Sequence, residues 1–209
     1  MNTKSMAMGL LMVLALTNAS LAQQTNSTMS SGSTSKVGNE SMSAFDSQNK
    51  KGAAAVAAVT PNSAKLSTAD QDLMMQVAKG GMMQLEASRL AVQNATNDQV
   101  KALAQAEVDE QTGLSAKLQE IASAKGVTLP TSPDAETQAV LTKLQSATGM
   151  SFDRLYLTES GVKGHEKLDS VMSMVESKAT DPSMKNLAKA AHPLVKTHLK
   201  VARQIMNAM

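Results

Sequence analysis

The amino-acid sequence predicts an all-α protein built on an up-down four-helix bundle with an extra short helix in its middle connection. Three observations carry this. The chain has 209 residues with 16 Met, two Phe, one Tyr and no Trp. Good helix formers supply most of it, and the residues that favour strands are sparse. From Ser67 onward apolar residues recur at spacings of three and four in long runs, the helical period. Short capping signals, Thr96-Asn97-Asp98-Gln99 and Asp181-Pro182, separate those runs.

Residues 1–22 read as a secretory signal. Lys4 supplies the positive start, Met6 to Leu16 is apolar, and Ser20-Leu21-Ala22 places small residues before a cut between Ala22 and Gln23. That apolar run falls short of the roughly 20 residues a membrane span needs. No later run is long enough to span, so a periplasmic or secreted protein is expected. Residues 23–66, rich in Ser, Thr, Asn, Gln, Gly and Ala, read as a disordered linker because they lack an apolar stripe to offset their ordering entropy. Within it, Ala53 to Val59 has weak helical character and is stopped by Pro61.

Residues 67–209 form the expected bundle domain. Ser67-Thr68-Ala69-Asp70 caps a first helix reaching about Asn94, with the stripe Leu73, Val77, Gly80, Gln84, Ala87, Ala91. The Gly80-Gly81 pair, unfavourable inside a helix, implies close approach by a neighbour. A second helix runs to about Lys125 and stops at Gly126. Its seam of Val100, Ala104, Glu107, Gln111, Leu114, Leu118 and Ile121 is interrupted by two polar residues. Ser132-Pro133-Asp134 opens a short helix. Ser151 then begins a long one to about Lys178, with Leu157, Gly161, Gly164, Leu168, Val171 and Val175 inward and His165 beside them. The last helix carries Leu187, Ala191, Leu194, His198, Val201 and Ile205. The four long helices have about 28 residues, or roughly 42 Å each.

Composition excludes several functions. A formal net charge of +2 with interspersed signs, and no basic patch with aromatics, argues against nucleic-acid binding. The absence of cysteine excludes disulfides, thiol chemistry and a lipidated cysteine. The glycine pairs lie inside helices rather than in phosphate-binding loops.

With both hairpin turns, near residues 95 and 180, at one end of the bundle, depth follows from the helical rise. Glu86, Glu107, Glu110, Gln111, His165 and His198 then gather near mid-height, where bundles build carboxylate–histidine metal sites. Glu86, Glu107, Glu110, His165 and His198 are therefore candidate ligands for a transition metal. Each has a plain structural alternative. His198 could be a core histidine, His165 could pair with Asp169, and Glu107 with Gln111 could be a layer fixing helix register. Glu86 could pair with Arg89 or Arg203 at the rim. His192 is expected at the surface, and Phe152 with Tyr156 as a plug at the bundle end. The Glu-x-x-His pair of di-iron bundles is absent, since Val162 and Val195 stand three residues before the histidines. Met74, Met75, Met82, Met83, Met172 and Met174 could offer thioethers to Cu(I), against the plainer role of core filler.

From Asp70 to Met206 the chain resembles an exported bacterial family, domain of unknown function 4142, some of whose members carry an outer-membrane label. The shared features are Gly80-Gly81 with Glu86 and Leu90-Ala91, then Val100 to Gln105, Phe152-Asp153-Arg154-Leu155-Tyr156, His165, Pro193 and His198-Leu199. The resemblance implies a ferritin-like fold and an address outside the cytoplasm, and no reaction. Members usually carry an acid where Gln84 stands and an Asp-His pair where Glu110-Gln111 stands. Two functions follow. One is a non-enzymatic envelope or stress-related module acting on an unknown protein or envelope partner. The other is a periplasmic Fe, Mn or Cu binder with a degenerate carboxylate–histidine site.

Overall fold

The computed structural model describes residues 35–209. The expected signal at 1–22 and the first part of the linker lie outside them. A two-residue hairpin, β1 (Lys36–Val37) and β2 (Glu40–Ser41), leads into α1 (Met42–Ala57). Helices α2 (Thr68–Asn94) and α3 (Asp98–Ala124) form the first hairpin, and α4 (Ala135–Ser146) occupies the middle connection. Helix α5 (Gly149–Tyr156) continues without a break through a π-helical segment (Leu157–Gly164) into α6 (His165–Lys178). Helix α7 (Pro182–Asn207) closes the chain. The fold is all-α, as the helical periodicity implies.

Residues 35–66 correct the linker expectation. Helix α1 lies along α3 and α7. Val37, Phe45, Val56, Val59 and Leu66 are buried by it and its flanks. Phe45, Asn49, Gly52 and Val56 follow one another at spacings of four, three and four, a helical stripe with a polar residue and a glycine in it. Gly52 is what lets α1 settle. A Cβ there would fall among the terminal carbons of Leu194 on α7.

Two carboxylates fix the direction of each helix. Asp153, buried at the start of α5, accepts hydrogen bonds from Thr96 N (2.9 Å), Thr96 Oγ1 (2.6 Å) and Asn97 N (2.9 Å). Asp70, at the start of α2, accepts from Thr180 N (2.9 Å) and Thr180 Oγ1 (2.5 Å). The turn near 95 is thus beside the start of α5, and the turn near 180 beside the start of α2. The two hairpin turns stand at opposite ends, not the same end. The chain runs up, down, down and up, and the connection through α4 spans the bundle's height, the single long crossover of ferritin-like folds.

The interior has three tiers. One apolar cluster joins Leu73, Val77, Leu114, Leu118, Leu168, Val175, Leu187 and Ala191 at the Asp70 end. A second joins Ala87, Ala91, Val100, Leu103, Phe152, Leu157, Val201 and Ile205 at the Asp153 end. Between them every long helix turns polar, at Gln84 and Ser88, at Glu107, Glu110 and Gln111, at Ser160 and His165, and at His198, all buried. Gly80 and Gly81 let Leu168 and Gln111 approach α2, since a Cβ would meet them at 3.1 Å and 3.0 Å. Met74 and Met172 are fully buried in the first apolar cluster and Met83 packs against the second, so the methionines serve as core on both sides of the polar tier.

Candidate metal centre

Opposed hairpins bring the right residues level. Glu107 is nine residues from the start of α3 (107 − 98), and His198 nine from the end of α7 (207 − 198). Both therefore lie roughly 14 Å from the Asp153 end at 1.5 Å per residue. His165 opens α6 directly after the π-helical segment, whose wider backbone presents the Ser160 carbonyl to side chains.

Glu107 Oε1 is 2.5 Å from His165 Nε2 and 2.5 Å from His198 Nδ1, and His198 Nδ1 is also 2.8 Å from Glu110 Oε2. One ligating atom from each of Glu107, His165 and His198 lies within 4.8 Å of the others, and all three residues are buried. The outward nitrogens are held as well. His198 Nε2 is 2.6 Å from Asn49 Oδ1, and His165 Nδ1 is 2.9 Å from the Ser160 carbonyl oxygen. Gln84 Nε2 reaches the same His165 nitrogen at 2.6 Å, while Ser160 Oγ donates to Gln84 Oε1 at 2.5 Å. The rings meet edge to face with centroids 6.0 Å apart, and Phe45 of α1 covers His198 at 5.6 Å. Tyr156 donates or accepts at Ser88 Oγ (2.9 Å) from inside the bundle, so it borders the polar tier and is no end plug.

The site is electrically dense. Burial pushes Glu107 upward, but the charges of His165 and His198 outweigh it and hold its carboxyl well below the usual range. For Glu110 burial wins and the pKa is raised. Burial lowers the two imidazoles, yet Glu107 raises His165, and Glu107 with Glu110 carries His198 to about 10. Tyr156 is pushed up by burial and by the Glu107 charge. These shifts favour the imidazolium form of both histidines and the carboxylate form of Glu107, and the neutral acid at Glu110. Even so, Glu107 Oε1 and Oε2, Glu110 Oε1 and Oε2, and His198 Nδ1 lack an aligned hydrogen bond, as do Gln111 and Asn49 Nδ2. Buried carboxylates without aligned donors are costly. A cation placed among them would meet that need.

Of the five candidate ligands the fold assembles four. Glu86 stands apart on α2, where its Oε1 accepts from Arg89 NH1 at 2.7 Å, because its position on the helix faces the rim. His165 does not pair with Asp169. His192 does, contrary to the surface expectation. It is buried between α6 and α7, with Nε2 2.8 Å from Asp169 Oδ1 and Nδ1 2.7 Å from Glu176 Oε1. The site residue missed in the sequence is Asn49, whose signal was the Phe45–Asn49–Gly52–Val56 spacing.

A family model described as "Domain of unknown function (DUF4142)" matches residues 55–205. No curated protein matches the chain. Among solved structures, a DUF305 fragment from Deinococcus radiodurans superposes with a TM-score of 0.62 at 10% identity, covering 70% of this chain and 100% of that one. At that identity the likeness concerns the fold alone.

Proposed function

We propose that this chain, which belongs to the DUF4142 family of domains of unknown function, is a non-enzymatic helical module that holds one divalent first-row transition ion at Glu107, His165 and His198. Glu110 supplies the next oxygen. Two imidazoles with carboxylates suit Zn²⁺, Fe²⁺ or Mn²⁺ better than thioether-seeking Cu(I). One observation carries this reading. Each histidine turns one nitrogen toward Glu107 and ties the other to a carbonyl oxygen, of Asn49 or of Ser160. That outer tie fixes ring orientation and tautomer in metal-bound histidines.

Uptake asks something of the cluster. Bonds of about 2.0–2.1 Å around a tetrahedral ion put its donors roughly 3.3 Å apart, wider than the 2.5 Å contacts of Glu107. The carboxylate must swing outward and the imidazolium protons must leave. The short contacts also favour a second reading, in which the cluster stays protonated and serves as an internal polar tier of an envelope or stress-related module. Residues 1–22, read as a signal, make the periplasm or the exterior the compartment where either role is played. Elemental analysis of protein purified from that compartment tests the choice. About one equivalent of Zn, Fe or Mn supports the metal reading. Traces only, together with no uptake of added Zn²⁺ or Co²⁺, leave the protonated tier.

A further inference from the structure

Helices α2, α3, α6 and α7 pack around the cluster. On the His198 side α1 lies over the bundle, with Phe45 and Asn49 against the ring. On the opposite side α2, α4 and α6 do not close completely. They leave a cavity of about 380 Å³ whose floor includes Gly80, Met83, Gly164 and Leu168 and whose rim carries Lys79 and Glu159. Two further cavities among the described residues are lined by the α1–α7 groove near Val59 and by the loop near Gly126, and neither includes a residue adjacent to the cluster.

At the floor the wall is formed by the Met83 side chain with Gln84 behind it. Gly164 has no side chain, and a Cβ there would come within 2.5 Å of Met83 Cε and 3.0 Å of Gln84 Oε1. Gln84 in turn touches His165 directly, at 2.6 Å from Nδ1. Between the cavity and His165 there stand an unbranched thioether, an amide and a glycine. Methionine is the apolar side chain best able to swing aside, with three rotatable bonds and no branch. Its sulfur is also a weak cation ligand, able to touch a passing ion without retaining it.

We propose that this cavity is the port through which a divalent transition ion reaches the cluster, with Met83 as its movable gate and Gly164 as the gap the gate covers. The proposal rests on the metal reading above. It assigns Met83 to the rate of uptake rather than to the strength of binding, because the converging donors are Glu107, His165 and His198, while Met83 Cε lies over Gly164.

Stopped-flow mixing of metal-free protein with Co²⁺, followed by its visible absorption, reads the rate, and an equilibrium Co²⁺ titration reads the affinity. Met83→Ala should speed uptake several-fold, and Met83→Trp should slow it tenfold or more, both with affinity within about threefold of wild type. As a variant that leaves the floor intact, Lys79→Cys at the exposed rim, alkylated with a bulky maleimide, should slow uptake as well. The wild type contains no cysteine, so the label is specific. Lys50→Cys on α1, alkylated in the same way, should not change the rate. Uptake rates unchanged across the Met83 and Lys79 proteins, or slowed only by the Lys50 label, overturn the port while leaving the site. No Co²⁺ uptake by wild type overturns both.

Discussion

Asn49 Oδ1 lies 2.6 Å from His198 Nε2 across 149 residues of sequence. It ties α1 to the centre of the bundle and makes that helix part of the site rather than a leader to it. In this geometry His198 Nε2–H donates, which leaves Nδ1 facing Glu107 and Glu110. Asn49→Ala removes the acceptor for that donor. Stability should fall by about 1–3 kcal/mol in urea unfolding of the ion-free protein, the cost of a buried donor left without a partner. Zn²⁺ affinity should fall by roughly 10–100-fold, the usual effect of losing an outer tie.

His198→Leu separates a paired histidine from a core filler. A filler on the seam that carries Leu194 and Val201 would give a neutral or stabilising change. The observed pairing predicts a loss of about 3–5 kcal/mol in chemical denaturation, because Glu107 would keep its buried charge with His165 alone beside it and Glu110 would lose its partner. Adding Glu107→Leu and Glu110→Leu should recover much of it.

Stability should depend on pH in an identifiable window. His198 is raised from 6.5 to about 10, so its contribution is complete below about 6.5 and is lost as pH rises through about 10. His165 is raised too and acts in the same direction. Glu107 is held below its ordinary 4.5, so its contribution is present above that value and is lost as pH falls below it. Glu110 is raised, so its stabilising form is the protonated one, and it too loses ground as pH climbs past 4.5. Thermal unfolding of ion-free protein should show a midpoint that declines steadily on the alkaline side. In a His198→Leu, Glu107→Leu, Glu110→Leu variant that decline should be much flatter.

Gly52 tests the placement of α1. In Gly52→Val the added side chain enters the space of Leu194, and overpacking of this kind costs about 1–3 kcal/mol. Limited proteolysis should then cut within residues 42–57, a segment that should resist cleavage in the wild type.

The helices of the bundle were legible because their apolar stripes and caps are local signals, as with Ser67 Oγ accepting from Asp70 N at 3.1 Å and Asp181 Oδ1 accepting from Met184 N at 3.0 Å. Glu107, Glu110, His165 and His198 were legible as polar breaks in those stripes. Helix direction was not, because Asp153 and Asp70 choose it through contacts with Thr96 and Thr180 that no local pattern announces. Helix α1 was obscured by its composition: its inward face is one Phe, one Asn, one Gly and one Val, enough to fill a groove between two helices and too little to read as amphipathic. The π-helical segment leaves no mark beyond Gly161 and Gly164. His192 was misplaced because its two carboxylate partners come from α6, 16 and 23 residues earlier.

Calorimetric titration of Zn²⁺ into metal-free protein at about pH 6 and about pH 8, repeated with Glu107→Gln, tests the central claim most directly. Because the ion displaces imidazolium protons, one ion per chain should bind with an apparent affinity that strengthens by on the order of tenfold per pH unit for each proton released. Glu107→Gln should weaken binding at least a hundredfold. Binding that is absent at both pH values, or equally strong at both and indifferent to Glu107→Gln, would contradict the assignment of Glu107, His165 and His198 as an ion site.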